Sequence, residues 1–386
     1  MKKTKILIMT GHYLPSVKAG GPVQSIKNLV DNLSDSYEFY ILTSDRDIGD
    51  SQSFQNIDTE SWQDVGNAKV YYVNPSKLGF ANLRYILGTV DFDILYINSF
   101  FSFKFSIMPL ILKKLSLLGC NQIVLAPRGE FSPGALKFKK IKKKIYFFLA
   151  KAIRLYKGVK WHATAQREKK DIEYFLLTIR KIIVAENMTN DTNNLEYQKP
   201  ISKNKNELKI VFVSRIHPKK NLLQALDLIS QINRYKITFN IYGPIEDQEY
   251  WSMCETKIKG LPTNVKVNYF GSISHNEVHD VFKRHHVFLF PTFGENYGHV
   301  ISEAFLGACP VIVSDQTPWR NLELSGVGWD IPLTEDQKFL DAIEEIAMKS
   351  KEEYLHISKK AFEFGIRKSD IEGKKISYFD LFNKLD

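Results

Sequence analysis

In the first half of the chain, short apolar runs alternate with segments whose apolar residues recur at helical spacing. The runs predict strands at 5–9, 38–43, 69–73, 94–98, 122–126 and 160–163. After the first run, Ile26, Leu29, Val30 and Leu33 recur as one face of a helix does. Strands that alternate with helices predict a parallel sheet covered on both faces.

The same pattern restarts after a polar stretch at 187–207, which we interpret as an interdomain connection. Strands are predicted at 208–213, 237–242, 266–270, 287–290 and 311–314, with helices at 222–229, 278–282 and 300–306. We therefore predict an α/β protein with two Rossmann-like domains facing a central cleft, at 1–195 and 200–365. A basic amphipathic segment, 366–386, is predicted as a helix that packs back on the first domain.

Composition supports two globular domains. The chain has 386 residues, 44% of them hydrophobic and 25% charged, which is too long for one ordinary core. Its three scattered cysteines exclude a disulfide framework and a clustered zinc site, and are typical of a reducing compartment. No apolar run has the length of a signal-peptide core or of a membrane span. We therefore expect a cytoplasmic protein.

The formal net charge of +10 calls for an anionic partner. Many of the cations lie at 137–157, where the spacing predicts a basic amphipathic helix. Such a helix either packs on the first sheet with a solvated basic face, or lies on an anionic membrane surface such as the inner face of the plasma membrane. A nucleic-acid-binding protein would also be basic, but no nucleic-acid module signature is present, so we expect no nucleic acid.

Candidate chemistry follows the strands of the second half, because ligands of open parallel sheets bind at the carboxyl ends of the strands. Arg215 and Lys220 follow the strand at 208–213. Two fixed cations at a strand end suit a diphosphate. The alternative is a solvated basic loop. Gly271 follows another strand, where a small residue lets backbone approach a nucleobase.

A third strand end leads into a glycine-bearing loop and a helix that starts near Gly298. A helix start favours a phosphate because its N–H groups and dipole are positive. Glu295 in the loop and Glu303 in the helix can accept hydrogen bonds from vicinal sugar hydroxyls. Alternatively, Glu295 is only a partner of the helix dipole and Glu303 an exposed helix charge. The apolar neighbours of Glu303 indicate burial, and a buried carboxylate needs a partner.

Glu295 and Glu303, with seven residues between them, resemble the two-glutamate signature of retaining glycosyltransferase family 4. Arg215 and Lys220 resemble the donor-phosphate segment of that family, and Gly243 and Gly271 fall where the family has glycine loops. The residues around the glutamates that also fit are Pro291, Gly298, Ala304, Gly307, Pro310 and Val311. The resemblance is strong over 208–330 and looser over 1–195.

The resemblance implies a GT-B fold, a nucleotide-sugar donor in the second domain and an acceptor on the first. Arg215 and Lys220 would neutralise the leaving diphosphate in place of a metal ion, so no metal or other cofactor is expected. Glu295 would hold sugar hydroxyls and Glu303 the ribose. The remaining implied donor contacts are Gly271, Asn296, Tyr297, Gly298 and His299. We expect the acceptor to be a glycan, such as a lipid-linked oligosaccharide in O-antigen, capsule or exopolysaccharide biosynthesis.

In the first domain, Gly21 resembles the glycine loop that lies close to the donor phosphates, with a flexible turn at a helix start as the alternative. Arg128 and Glu130 follow the strand at 122–126, where some family members carry histidine or aspartate. They are candidates for the acceptor side, Arg128 toward an anionic acceptor. The alternative is a turn held by a salt bridge.

Two further observations limit the assignment. Pro318 and Trp319 stand where many members have a glycine pair, so either the donor pocket is reshaped or Trp319 is a packing residue. Asp45 with Asp47 and Asp91 with Asp93 resemble metal-holding aspartate pairs. The first pair follows a strand but lacks supporting ligands, and the second precedes a strand, which is the wrong end for a site, so surface turns are expected for both. A sugar-nucleotide epimerase of the same fold is the alternative enzyme, and it would consume donor with no acceptor present.

Overall fold

The computed structural model describes residues 3–132, 140–176, 181–189, 192 and 195–383, without the side chains of 140–145, 275 and 276. The chain forms two compact units. Unit 1 comprises Met1–Asp191 with Ile371–Asp386, and unit 2 comprises Thr192–Asp370. Each unit contains its own sheet, whose strands are parallel apart from one edge pair in unit 1. The predicted α/β class with two Rossmann-like domains is confirmed.

The sheet of unit 1 has strands in the order β3-β4-β2-β1-β5-β6-β7-β8. Their bounds are β1 Thr4–Met9, β2 Tyr37–Ser44, β3 Trp62–Val65, β4 Ala68–Val73, β5 Ile94–Ile97, β6 Gln122–Leu125, β7 Val159–Ala163 and β8 Ile182–Val184. Alternate residues of the central strand β1 enter different cores, since side chains of a strand point to opposite faces. Ile6 and Ile8 lie in one core, and Leu7 and Met9 lie in the other.

The helices of unit 1 cover these two faces. They are α1 Gly21–Leu33, α2 Phe80–Gly88, α3 Met108–Lys114, which continues a π-helical turn at Phe103–Ile107, α4 Lys140–Ala152 and α5 Gln166–Leu176. Leu29 and Val30 of α1 pack in the same core as Ile6. Among the described helices of the chain, none combines the length and apolar character that a membrane span requires.

Unit 2 has strands in the order β11-β10-β9-β12-β13-β14, all parallel. The strands are β9 Glu207–Val213, β10 Lys236–Tyr242, β11 Val265–Tyr269, β12 Val287–Phe290, β13 Val311–Ser314 and β14 Gly328–Ile331. The helices are α6 Leu222–Ser230, α7 Gln248–Lys259, α8 His275–Lys283, α9 His299–Leu306, α10 Asp336–Met348 and α11 Lys351–Lys368. Because β12 lies beside β9, loops that are distant in sequence emerge at the same edge.

The prediction of one helix over 366–386 is wrong, since α11 ends at Lys368 and a separate helix, α12, spans Ile371–Phe382. Ser369 ends α11 by donating its backbone N–H to the carbonyls of Gly365 and Ile366. The apolar residues of α12 belong to the core of unit 1 that also contains Ile6. They are Tyr378, Leu381 and Phe382.

The basic helix α4 ends at Ala152, before the end of the predicted range 137–157. Residues 137–139 lie outside the described residues. Arg154, with a φ of 51°, follows the helix in the left-handed conformation, and the N–H of Leu155 bonds to the carbonyl of Ala150. This is the geometry of a helix-terminating Schellman turn. Phe148, one of the apolar residues that recur at helical spacing in this segment, is exposed.

Candidate functional site

The loops that follow β9, β10 and β11 in unit 2 are joined by backbone hydrogen bonds. Ser214 N–H bonds to the carbonyl of Tyr242, and Gly243 N–H bonds to the carbonyl of Gly271 at 2.7 Å. Gly243 has a φ of 138°, and a Cβ added there would lie 1.9 Å from the carbonyl oxygen of Ser214. Only glycine therefore allows the first two loops to pack this closely.

A short helical turn, Pro218–Lys220, fastens the β9 loop to the loop after β12. Asn221 donates its side-chain amide to the carbonyl of Pro291 at 2.8 Å. The carbonyl of Lys219 accepts from the N–H of Phe293 at 2.9 Å and from the hydroxyl of Thr292 at 3.1 Å. These bonds set the side chains of the turn directly beside the loop that carries Glu295.

Lys220 and Glu295, predicted separately as a phosphate cation and a sugar-binding carboxylate, form an ion pair. Their side chains are 13% and 14% exposed, so the pair is shielded from most of the solvent. The ammonium of Lys220 also lies 5.7 Å from the centroid of the Phe290 ring. The two candidate residues therefore neutralise each other at the carboxyl end of the sheet.

Arg215 donates to the carboxylate of Glu246 at 2.7 Å, and this pair is considerably more exposed to solvent. Glu246 follows β10 and was not among the sequence candidates. Its only sequence signal is its position after Gly243-Pro244 at a strand end. Arg215 therefore shares its charge with a carboxylate that an anionic ligand must outcompete.

Lys219 is a further cation of this edge that the sequence analysis did not select. Within the described part of the chain, its ammonium has no hydrogen-bond or ion-pair partner. Burial lowers the pKa of Lys219, and the nearby charges of Lys220 and Arg215 lower it further, while Glu295 opposes them. Its Cε lies 4.0 Å from where a Cβ of Gly294 would be. The adjacency of two lysines was the available signal.

The loop after β12 ends at the start of α9. Gly298 has a φ of 78° and gives this helix no side-chain cap. The residue before Gly298 is fixed by a hydrogen bond, in which the indole N–H of Trp319 donates to the carbonyl of Tyr297 at 2.7 Å. Trp319 is buried against the rings of Tyr297 and Phe305. Trp319 is thus a packing residue that supports the helix start, and this start favours an anion.

Glu303 lies one turn further along α9 than His299. Its carboxyl is partly covered, and burial raises the pKa of Glu303 to about 7. An ionised carboxylate at this position is costly unless hydroxyl or N–H groups donate to it. Of the other predicted donor contacts, His299 has its ring 4.8 Å from that of Tyr297, and Asn296 lies in the loop between Glu295 and Tyr297.

In unit 1, Arg128 occupies a tight turn after β6. Its φ is 55° and that of Gly129 is 77°, so both have left-handed conformations. The guanidinium donates to the side-chain oxygens of Asn98 and Asn187 and to the hydroxyl of Tyr96, at 2.6 to 2.9 Å. Arg128 therefore ties the ends of β5 and β6 to the segment after β8.

Glu130 fastens the same turn to the loop after β5. Its carboxylate accepts from the hydroxyl of Ser99 and from the N–H groups of Phe100 and Phe101, at 2.8 to 2.9 Å. The carboxylate of Glu168 holds the turn as well, since it accepts from the N–H of Gly129 at 2.5 Å. The acceptor role of Arg128 and Glu130 stays a prediction.

The remaining unit 1 candidates are Gly21 and the aspartate pairs. Gly21 is the first residue of α1, after Gly20 in a left-handed conformation.

Asp45 and Asp47 are buried, so the expectation of surface turns is wrong for them. The carboxylate of Asp47 accepts from the Ser16 hydroxyl and from backbone N–H groups, which compensates its burial. The described residues contain no group of three or more acidic, histidine or cysteine side chains placed to hold a metal.

Comparison with known families finds a match within unit 2. Residues 193–364 match the family model described as glycosyl transferases group 1. This is the segment that carries Arg215, Lys220, Glu295 and Glu303. Compared by sequence with curated proteins, the chain has no significant match.

Solved structures similar to the chain cover both units. HepE from Anabaena, solved with UDP and glucose, is 15% identical with a TM-score of 0.68, over 99% of this chain and 100% of that chain. WaaG, a glycosyltransferase involved in lipopolysaccharide biosynthesis, is 12% identical with a TM-score of 0.69, over 98% and 100%. Sucrose-phosphate synthase from Thermosynechococcus elongatus is 15% identical with a TM-score of 0.71, over 98% of each chain. At these identities the likeness establishes the GT-B fold.

Proposed function

We propose that this protein is a retaining family 4 glycosyltransferase, which moves a sugar from a nucleoside diphosphate sugar to a glycan acceptor. The observation that carries the proposal is the Lys220–Glu295 pair beside the uncapped start of α9. This pair lies in the segment that matches glycosyl transferases group 1. The neighbour HepE was also solved in complex with UDP-glucose, which supports a nucleotide-sugar donor.

The ion pair suggests how the donor is received. The diphosphate offers Lys220 an anionic partner that carries more charge than one carboxylate. When Lys220 turns to the phosphate, Glu295 is left with free lone pairs beside the helix start, where it accepts hydrogen bonds from the sugar hydroxyls. The exchange leaves Lys220 paired with the phosphate and Glu295 hydrogen-bonded to hydroxyls, so neither buried charge is left without a partner.

Bond cleavage then depends on charge stabilisation. As the bond between the anomeric carbon and the diphosphate oxygen breaks, its electron pair stays with the diphosphate. Arg215, Lys220 and the N-terminus of α9 stabilise that negative charge as it develops. These groups do the work of a metal ion, so we propose that transfer is metal-independent. The acceptor hydroxyl attacks from the face from which the leaving group departs, and its proton passes to the departing diphosphate oxygen. The anomeric configuration is thereby retained.

Glu303 is assigned to the ribose. A carboxylate accepts two hydrogen bonds from the vicinal 2′ and 3′ hydroxyls, and their donation compensates the burial that raises the pKa of Glu303. Gly271 and the loop from Asn296 to His299 complete the proposed donor contacts. Gly21 of unit 1 is proposed to approach the donor phosphates.

For the acceptor we propose a lipid-linked glycan of a surface polysaccharide, handled at the inner face of the plasma membrane. The net charge of +10 and the basic helix α4 support a membrane-proximal substrate. The neighbour WaaG takes part in lipopolysaccharide biosynthesis. Arg128 and Glu130 hold the loops of unit 1 that we assign to the acceptor side.

The first experiment is a thermal-shift panel of UDP, GDP, dTDP, ADP and CMP in EDTA. Wild type is compared with Arg215→Ala and with the control Arg234→Ala, an exposed arginine of unit 2. One nucleoside diphosphate is expected to raise the melting temperature by several degrees at about 100 times its Kd, where binding contributes about 2.7 kcal/mol. The shift is lost in Arg215→Ala and kept in Arg234→Ala.

A flat panel contradicts a donor site in unit 2. A shift that appears only when Mg²⁺ replaces EDTA contradicts metal independence. The corresponding nucleotide sugar is then incubated without acceptor. Conversion of the sugar to its epimer under these conditions assigns the protein to the epimerase alternative.

A further inference from the structure

A groove of about 560 Å³ lies in unit 2 where β14 begins, between the end of α10 and the first turns of α11. The candidate donor loops follow the carboxyl ends of the strands, whereas Gly326 and Gly328 of this groove lie at the amino end of β14. The groove is therefore at the opposite edge of the sheet and is separate from the donor site. Its volume is within the range of about 300–1,000 Å³ that is typical of ligand sites.

The floor of the groove consists of its buried lining residues, Gly328, Trp329 and Ile357. Trp329 and Ile357 are each 8% exposed and belong to the hydrophobic core of unit 2. Because Gly328 has no side chain, the indole of Trp329 is the largest group of the floor. A molecule in the groove therefore meets an apolar surface with one polar group, the indole N–H.

The indole N–H of Trp329 has no hydrogen-bond acceptor within the described part of the chain. By contrast, the indole of Trp62 donates to the hydroxyl of Thr89 at 2.9 Å, and that of Trp319 donates to a carbonyl at 2.7 Å. The side chain of Trp329 is more than nine-tenths buried, and a buried indole N–H usually has a partner. The apolar core offers this N–H no acceptor, so a molecule in the groove has to supply one.

The rim of the groove carries charges of both signs. Glu345 pairs with Lys349 at 2.8 Å, and Glu353 accepts from the N–H of Ser350 at the start of α11. The other polar side chains of the rim have no hydrogen-bond or ion-pair partner among the described residues. They are Glu323, Glu352, His356 and Lys360. Carboxylates, an ammonium group and an imidazole therefore surround the floor with hydrogen-bonding capacity that the protein does not use.

This mixture of groups selects the class of ligand. A phosphorylated ligand would be repelled by the carboxylates of the rim, and a polycation would be repelled by Lys349 and Lys360. A neutral saccharide meets neither obstacle, because each hydroxyl both donates and accepts a hydrogen bond. Its hydroxyls can donate to the carboxylates and accept from Lys360 and the indole N–H, while the C–H face of the ring packs on the floor.

We propose that this groove is a second saccharide-binding site, which holds a neutral oligosaccharide away from the transferase chemistry. Glu323 and Glu352 accept hydrogen bonds from its hydroxyls, and Lys360 and the indole of Trp329 donate to them. The inference goes beyond the proposed function, because binding in the groove needs neither the donor nor its loops. A glycan chain held there stays at high effective concentration beside the enzyme.

The test is NMR spectroscopy of the full chain with ¹⁵N-labelled tryptophan, in which each of the five indoles gives one N–H resonance. Trp329→Phe and Trp319→Phe keep an aromatic ring in the core and serve only to assign two of these resonances. The probes are maltotriose, cellotriose, mannotriose and N-acetylated chitotriose. Spermine and inorganic phosphate are the charged alternatives.

The functional variant is Glu352→Ala with Lys360→Ala, whose positions are exposed. Its matched control, Glu255→Ala with Lys259→Ala, removes the same residue types from exposed positions of α7. One or more of the saccharides should shift the Trp329 resonance with a Kd of about 1 mM. The groove variant should bind about tenfold more weakly or less, because each hydrogen bond to a charged group contributes to affinity, and the control should bind as the wild type does.

A Trp329 resonance that no saccharide shifts would overturn the proposal, as would equal affinities of the groove variant and the control. A shift with spermine or phosphate alone would assign the groove to ions and would overturn it too. The donor site is followed in the same spectrum, because the indole of Trp319 supports the start of α9. A nucleoside diphosphate that shifts Trp319 without any saccharide response at Trp329 refutes the groove alone, and the reverse result refutes the donor site alone.

Discussion

At the scale of single residues, the cations of the unit 2 edge differ in what they already contact. Arg215 has Glu246 and Lys220 has Glu295, whereas the ammonium of Lys219 has no partner in the described part of the chain. A ligand that binds Arg215 or Lys220 must first break an existing ion pair, whereas a ligand that binds Lys219 breaks none. Of these three cations, Lys219 therefore offers a diphosphate the largest net gain in binding free energy.

Lys219→Gln is expected to weaken nucleoside diphosphate binding about ten- to a hundredfold, because a hydrogen bond to a charged group contributes about 1.5–3 kcal/mol. Glutamine keeps the backbone carbonyl that holds the neighbouring loop. Binding is measured by calorimetry, with the exposed Lys266→Gln as control. Because the pKa of Lys219 is lowered, affinity should also fall as the pH rises, and less so in the variant. Unchanged affinity would exclude Lys219 from the site.

Glu303→Gln should raise the melting temperature at pH 8 but weaken nucleotide binding. The folded protein holds a proton on Glu303 up to a pKa of about 7, whereas the ordinary value is 4.5, so the ionised form destabilises the fold at higher pH. At pH 8 this amounts to about 3 kcal/mol. The variant should therefore melt higher at pH 8, with a smaller gain at pH 5.5, and bind the nucleotide more weakly. A variant that melts lower at pH 8 contradicts this account.

At the scale of elements, buried strands were predictable because each is an unbroken apolar run. Val287–Phe290 and Val311–Ser314 have the predicted bounds. Three strands that the sequence analysis did not predict, β3, β8 and β14, lack such a run. β3 is a polar antiparallel edge, and β8 has only three residues. β14 contains Gly328, which reads as a turn, yet a Cβ there would lie 2.2 Å from the carbonyl of Val311. Such close packing is invisible in a linear pattern.

The individual residues of the candidate site could be predicted from the sequence, but the contacts between them could not. Arg215, Lys220, Glu295 and Glu303 follow strand ends and fit a resemblance, which suffices to nominate them. That Lys220 would contact Glu295 depends on the bond between Asn221 and the β12 loop, a contact across 70 positions of sequence. Periodicity carries no information about such contacts.

Gly243→Ala should disrupt the candidate site at the carboxyl edge of the unit 2 sheet, because it separates two of the loops that form it. The new Cβ would lie 1.9 Å from the carbonyl oxygen of Ser214, so the loops after β9 and β10 must move apart. We expect loss of the nucleotide shift and a lower melting temperature for unit 2. Gly326→Ala is the control, since its φ is also positive but its nearest atoms are 3.5 Å away. Equal behaviour of the two variants would show that conformational strain, about 1–2 kcal/mol, explains the effect.

At the scale of the whole molecule, both units bury histidines in their cores. His162 in unit 1 bonds to the hydroxyl of Tyr96 and the carbonyl of Ala185. His285 and His286 in unit 2 bond to backbone and amide groups. Burial lowers the pKa of His162 and His286 to about 3 and that of His285 to about 4, and neighbouring cations such as Arg128 and Lys209 add to the effect.

These histidines should make both units acid-sensitive. The unfolded chain binds protons near pH 6.5 and the folded chain only near pH 3 to 4, so stability is lost as the pH falls through that window. Each ring costs about 2 kcal/mol by pH 5. Melting temperatures measured by calorimetry should drop steeply from pH 7 to 5 and little from pH 8.5 to 7.5. A flat profile down to pH 5 would contradict neutral buried rings.

The chain passes between the units twice, because α12 returns to complete the core of unit 1 with Tyr378, Leu381 and Phe382. On a ribosome, the first unit to be synthesised is therefore the last that can be finished. Unit 2, which is contiguous, has every residue it needs before α12 has emerged. A nascent chain that stops before Ile371 would carry a complete second unit behind a first unit whose core beside α1 still lacks the apolar side chains of α12. Chaperones and proteases recognise such incompletely covered surfaces.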